Sequence, residues 1–146
     1  MTIVRTATPE DAGELARLLT GLGHPTSASF IIESWSAWSD EHNVAMVASA
    51  DGASLIGLVT VHHMRVLHRP LPVGRITALF VDEPFRGQGI GRTLVDAAER
   101  ELAARGCGLL EITSNVRRAD AHAFYESLGY ERTSVRLVKS IATAAR

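Results

Sequence analysis

The earliest clear period in the chain is helical: Ala12, Leu15, Leu18, Leu19 and Leu22 recur at three- and four-residue steps. Thr8-Pro9-Glu10-Asp11 announces that helix. It offers a capping hydroxyl, a proline suited to the first turn, and two carboxylates at the positive end of the helix dipole. Gly23 predicts its end. The short β-branched run 2–7 before it reads as a strand, and 27–40 reads as a second helix, its pattern blurred by two tryptophans and several serines. The period then shortens. Two apolar, β-branched runs at 44–49 and 54–64 flank Asp51-Gly52, which predicts a hairpin. A loop at 68–74 leads into a strand at 75–81. From 89 to 105 the helical period returns, with Ile90, Leu94, Ala97, Ala98 and Leu102 on one stripe and Arg92, Asp96, Glu99 and Arg100 opposite. Residues 109–114 form a buried strand, 118–128 an amphipathic helix stopped by Gly129, 130–139 an alternating last strand, and 141–146 a frayed end. No repeat or linker divides residues 1–146, so the expectation is a single α/β (α+β) domain.

Composition narrows the classes of function. With 46% hydrophobic residues the chain can build a core without disulfides, and Cys107, its one cysteine, forms no intrachain bridge. A formal net charge of −1 gives no field that would hold nucleic acid or an anionic membrane, so any anion site must be local. No apolar run approaches the roughly 20 residues of a membrane span, and MTIVRTATPED has no signal-peptide pattern. The chain is therefore expected to be cytoplasmic, without nucleic-acid, membrane or metal partners, and homodimer formation is left open.

The chemistry concentrates in 75–106, where Gly87, Gly89 and Gly91 alternate between a strand and a helix. Glycines there let backbone approach a ligand and aim several N–H groups at one point, and the helix N-terminus adds about half a positive charge. Arg86 and Arg92 flank the turn, which suits a pyrophosphate. A nucleotide P-loop would need Lys then Ser or Thr after the last glycine, and the sequence has Arg92-Thr93. The dinucleotide fingerprint would need glycine at 92. What remains is R-x-x-G-x-G, here Arg86-Gly87-Gln88-Gly89-Ile90-Gly91. It resembles the CoA-binding signature of the GNAT superfamily of N-acetyltransferases. A second block, Asn115 followed by Ala121, Phe124, Tyr125, Glu126, Gly129 and Tyr130, is similar to that family's second conserved region.

The resemblance implies a mixed sheet of six to seven strands, with a splayed parallel pair of central strands and about four helices. It implies acetyl-CoA as cosubstrate and transfer of acetyl to a primary amine by direct attack. Leu79, Phe80 and Val81 would offer backbone to the pantetheine arm like an added strand. Arg86 to Arg92, including Gln88 and Ile90, would hold the pyrophosphate. The Val81 amide would polarise the thioester carbonyl. Asn115 would bond the pantetheine amides, and Phe124 would pack on the CoA arm or in the core. Tyr125 would protonate the departing thiolate, because thiols titrate near 8.5 and phenols near 10. Cys107 sits between two glycines outside both motifs and is read as structural.

The base that takes the amine's proton is less legible. Where some relatives carry glutamate or histidine early in the fourth strand, this chain has Arg75 and Thr77. Glu111, His62, His63 and Glu33 remain, or a water chain to solvent. Glu111 stands in an apolar run and calls for a partner such as arginine; the two histidines must point to opposite faces of their strand. The acceptor would be set by the first two helices, the loop at 22–25 and the loop at 65–74. The expected acceptor is a small-molecule amine, with a peptide or protein amine and a non-catalytic acetyl-CoA-binding role as alternatives; Asn115 and Tyr125 favour an enzyme over the last.

Overall fold

A computed structural model describes residues 2–52, 54–113 and 119–142. It falls into two compact units, residues 1–112 and 113–146. The first contains β1 (Ile3–Thr6), α1 (Ala12–Leu22), α2 (Ala28–Trp38), β2 (Asn43–Ser49), β3 (Leu55–Met64), β4 (Val73–Val81), α3 (Ile90–Ala104) and β5 (Leu109–Ile112). The second contains α4 (Ala119–Ser127).

Local signals act as the sequence predicts. Asp11 accepts from Thr8 N at 2.9 Å and forms a two-pronged pair with Arg5 at 2.8 Å, which starts the turn into α1. Ser27 caps α2 by accepting from Phe30 N at 3.1 Å. The Asp51-Gly52 turn joins β2 to β3. α1 ends one residue before a left-handed glycine, Gly23, and α3 and α4 end two residues before theirs, Gly106 and Gly129, whose backbone bonds close the last turn.

One sheet has the order β1-β2-β3-β4-β5, antiparallel as far as β4 and parallel between β4 and β5. The parallel pair brackets α3, as expected of a βαβ crossover. Described strands number five, not six or seven. The expected strand at 130–139 is absent, and β4 begins two residues earlier than its pattern indicated. Alternation marks a face, but a strand exists only where a neighbour takes its backbone groups. Among the described residues none does so for 130–139, and Val135, Leu137 and Val138 stand exposed.

Helices cover both faces of the sheet. α1 and α2 pack on Ala45, Val47, Leu58 and Phe80, with Leu18 wholly buried between them and the sheet. α3 packs on the other face, where it comes so near β3 that a side chain at Gly57 would lie 2.8 Å from Leu94 Cδ1. Leu94 is itself fully buried. Leu94→Ala is therefore expected to lower unfolding free energy by about 2–5 kcal/mol, read as a fall in the urea midpoint.

Candidate active site

The site begins with the end of the parallel ladder. Its last pair is Ile76 with Ile112; β5 stops there, while β4 runs on through Thr77–Val81. Strand parting through a bulge was expected around Phe80 and Val81 and begins four residues before Val81, at Thr77. Thr60 opposes Ala78 and Val61 opposes Ile76, so Thr77 is the extra residue of β4. The bulge turns the strand where its parallel partner ends. Thr77 Oγ1 lies 2.7 Å from Thr60 Oγ1, which ties the bulged residue back to β3.

Beyond the bulge the direction of each backbone group follows from the ladder. Asp82 N donates to Ile56 O at 2.8 Å, so Asp82 is turned towards β3. Successive residues of a strand alternate their edges, so Val81 and Leu79 carry N–H and C=O to the edge away from β3. Val81 O confirms it: there it accepts Arg86 Nε at 2.8 Å. Phe80 is turned the other way. Its backbone faces β3 and its ring lies in the core beside α1, so it is a packing residue and does not offer backbone to that edge.

Next comes the glycine turn. Gly87 and Gly89 hold φ of 76° and 81°, a region that side-chain-bearing residues enter only at a cost of about 1–2 kcal/mol. Gly89 is the N-cap of α3, with no side-chain cap and no acidic residue in the first turn. The helix's first backbone bond is Thr93 N to Gly89 O, 3.1 Å, so the amides of Ile90, Gly91 and Arg92 precede it. This end of α3 presents amides and a positive dipole to an anion. Ile90's side chain is buried, so only its amide belongs to the turn. Arg86 stacks over the Phe80 ring at 5.2 Å while holding Val81 O, and Arg92 stands exposed. Gln88 Nε2 donates to Pro84 O at 3.4 Å, bracing the turn.

A clamp fixes the end of β4. Arg17 of α1 donates Nη1 to Asp82 at 2.7 Å, Nη2 to Leu55 O at 2.8 Å and Nε to Glu14 at 2.9 Å. The Arg17 bond holds the Glu14 carboxyl below its ordinary value. A lowered carboxylate pKa contributes stability above the unfolded value near 4.5, lost as pH falls through the folded one. Arg17→Met is expected to cost about 1 kcal/mol at pH 7, given the half-exposed side chains. That difference should shrink in urea titrations at pH 3.

Glu111 has the partner its setting called for. Arg75 donates Nε to Glu111 Oε1 at 2.8 Å and Nη2 to the same oxygen. The pair lies in register across β4 and β5, and Arg75 opposes His62 while Val81 opposes Gly57, five residues away on β3 or about 17 Å along a strand. The ion pair accounts for a carboxylate in that strand. Glu33 is exposed on α2. His62 and His63 divide as alternation requires. His62 Nδ1 is 2.9 Å from Asn43 Oδ1, and His63 Nε2 lies against Glu41 O and Arg105. His62 shares a sheet face with Arg75. Burial pushes the Cys107 thiol up, consistent with a structural residue.

In the second unit, Phe124 and Tyr125 lie side by side on α4, ring centroids 5.3 Å apart, and Tyr125 meets Tyr130 at 6.2 Å. Tyr125 O accepts from Leu128 N and Tyr130 N, closing the helix. Asn115 lies outside the described residues. The Arg17 clamp, the position of the bulge at Thr77 rather than near Phe80 and Val81, and the identity of Arg75 as the partner of Glu111 escaped the sequence reading; each depends on residues distant in the chain, and only the charged Glu111 gave a local sign.

Among the described residues, a mixed sheet whose fourth strand turns the Leu79 and Val81 amides away from β3 stands beside a helix start with no side-chain cap, an arrangement that offers backbone donors to an anion. Residues 11–130 match the acetyltransferase (GNAT) family, and the chain belongs to that family. It is 34% identical over 99 residues to an aminoalkylphosphonate N-acetyltransferase of Salmonella typhimurium, an alignment covering 68% of this chain and 64% of that enzyme. It is 29% identical over 136 residues to an aminoglycoside N(6')-acetyltransferase type 1 of Stenotrophomonas maltophilia, covering 89% and 86%. The fold also superposes on an aminoglycoside N-acetyltransferase solved with CoA, at a TM-score of 0.82 and 21% identity, covering 97% of this chain and 96% of that one. No helix among the described residues is long and apolar enough to cross a membrane.

Proposed function

We propose that the protein binds acetyl-CoA and transfers its acetyl group to a primary amine of a small molecule. The observation that carries this reading is the edge of β4: Leu79 and Val81 turn their amides away from β3 directly before the uncapped start of α3. The amides at Gly87–Arg92 hold the pyrophosphate, with Arg92 adding charge. The Leu79 and Val81 edge takes the amide-bearing arm as an added strand, supported by Asn115 and by Phe124. Acetyl-CoA supplies an activated acyl carbon. The edge amide of Val81, or of Leu79 two residues nearer the bulge, stabilises the negative charge that develops on the carbonyl oxygen. The amine's nitrogen forms the new C–N bond as the C–S bond breaks. Tyr125 gives its proton to the leaving sulfur, and the amine's proton passes to His62, on the acceptor face, or to solvent. Relatives named for aminoalkylphosphonates and aminoglycosides support a small acceptor.

Free-thiol release from acetyl-CoA, measured across a panel of small amines, amino-terminal peptides and lysine peptides, tests the reading. Turnover with small amines is the expected result. Turnover with peptides alone would reassign the acceptor, and binding without turnover would leave a non-catalytic module.

A further inference from the structure

The register of β3 and β4 assigns a second, chemically distinct region to the acceptor side of the sheet. Leu58 and Phe80 are partners on the α1 face. On β3 the same face continues through Thr60, His62 and Met64. Because Thr77 is an extra residue, the β4 partners of His62 and Met64 are Arg75 and Val73, which therefore share that face with Phe80. Arg75 and Glu111, and Val73 and Leu109, are partners in turn across the parallel ladder. These side chains line a cavity of about 260 Å³ that also takes in His68 and Arg69 from the β3–β4 loop. It lies on the face opposite α3, and Arg75 stands one residue before the last parallel pair, where the open edge of β4 begins.

The lining is unbalanced in charge. It holds two guanidinium groups and an imidazole against one carboxylate, in a protein whose formal net charge is −1. Glu111 takes Nε and Nη2 of Arg75, an arrangement that fixes the guanidinium in place. Arg69 makes no ion pair among the described residues. Met64 and Val73 supply an apolar floor. We infer that this cavity holds an anionic group of the acceptor, so that the substrate is a small primary amine carrying a phosphonate, phosphate or carboxylate. Arg69 and Arg75 are the specificity-determining residues, with His68 as a further donor. Arg75 opposes His62 and Leu79 opposes Val59, three residues apart on β3 or about 10 Å along a strand, and the arginine side chain covers part of that span. Anion and reacting nitrogen accordingly belong to one compact molecule with a short spacer.

This inference rests on the acetyl-transfer reading, and its test separates the two. The full chain with acetyl-CoA is assayed by thiol release on four amines of similar length: propylamine, β-alanine, 2-aminoethylphosphonate and O-phosphoethanolamine. The expected result is a kcat/KM at least about 30-fold higher for one or more anionic amines than for propylamine, falling with added salt. Comparison of the three anions shows which head group the cavity takes. In Arg69→Ala the anionic-to-neutral ratio should fall by about 10-fold or more, chiefly through KM, and Arg69→Lys should restore part of it. Calorimetric titration of 2-aminoethylphosphonate onto the CoA-saturated protein gives a readout independent of turnover, with binding in the unmodified chain and loss in Arg69→Ala. Equal rates for neutral and anionic amines, or an unchanged ratio in a folded Arg69→Ala protein, would overturn the inference while leaving acetyl transfer standing. Acetylation of no amine at all would overturn both.

Discussion

Gly89→Val should abolish acetyl-CoA binding, raising Kd by about 100-fold or more in a calorimetric or thermal-shift titration. Two effects combine. Gly89 holds φ of 81° as the N-cap of α3, a conformation that a β-branched residue adopts only with strain. A valine side chain would also stand on the surface that presents the amides of Ile90, Gly91 and Arg92 to the pyrophosphate. The substitution is thus expected to lower thermal stability as well, because the turn itself demands glycine. A matched control separates the two effects. Gly52, in the β2–β3 turn, has φ of 82°, and nothing lies within 4 Å of a side chain added at either position. Gly52→Val should carry a comparable strain and leave acetyl-CoA binding intact. If both variants bind the cosubstrate normally, or both lose it alike, the glycine turn is not the pyrophosphate cradle.

Tyr125→Phe is expected to reduce kcat by about one to three orders of magnitude with KM for acetyl-CoA close to its original value. The substitution removes only the hydroxyl. The ring remains to pack against Phe124 and Tyr130, and the backbone carbonyl still accepts the two bonds that close α4. The fold of the second unit should therefore survive, as near-ultraviolet circular dichroism would show. The lost function is protonation of a departing thiolate, so the deficit should narrow with a thioester whose leaving thiol is more acidic. Full activity across the pH range, under conditions where chemistry limits the rate, would remove Tyr125 from the mechanism.

Much of this protein was legible before its tertiary structure. The starts of α1 and α2, the Asp51-Gly52 turn, the helix ends at Gly23 and Gly129, and the glycine entry to α3 were all legible. Each depends on a backbone conformation or hydrogen bond reaching only a few residues along the chain, which residue type alone can specify. The need of Glu111 for a cationic partner was legible for a related reason: a carboxylate in an apolar run costs energy unless paired. Which arginine answered it was not. Strand alternation read through β4 would set Arg75 on the same face as Leu79 and Val81. The bulge at Thr77 reverses that, bringing Arg75 to the face of Phe80 and α1. The same bulge accompanies the end of the parallel ladder at Ile76. The 130–139 segment carries a sound alternating pattern, yet forms no strand among the described residues. The sequence by itself determined most of the local elements, their order and the glycine turn into α3. Strand count, register, the open β4 edge and the Arg75 cavity were decided only by tertiary structure, because each depends on which distant backbone pairs with which.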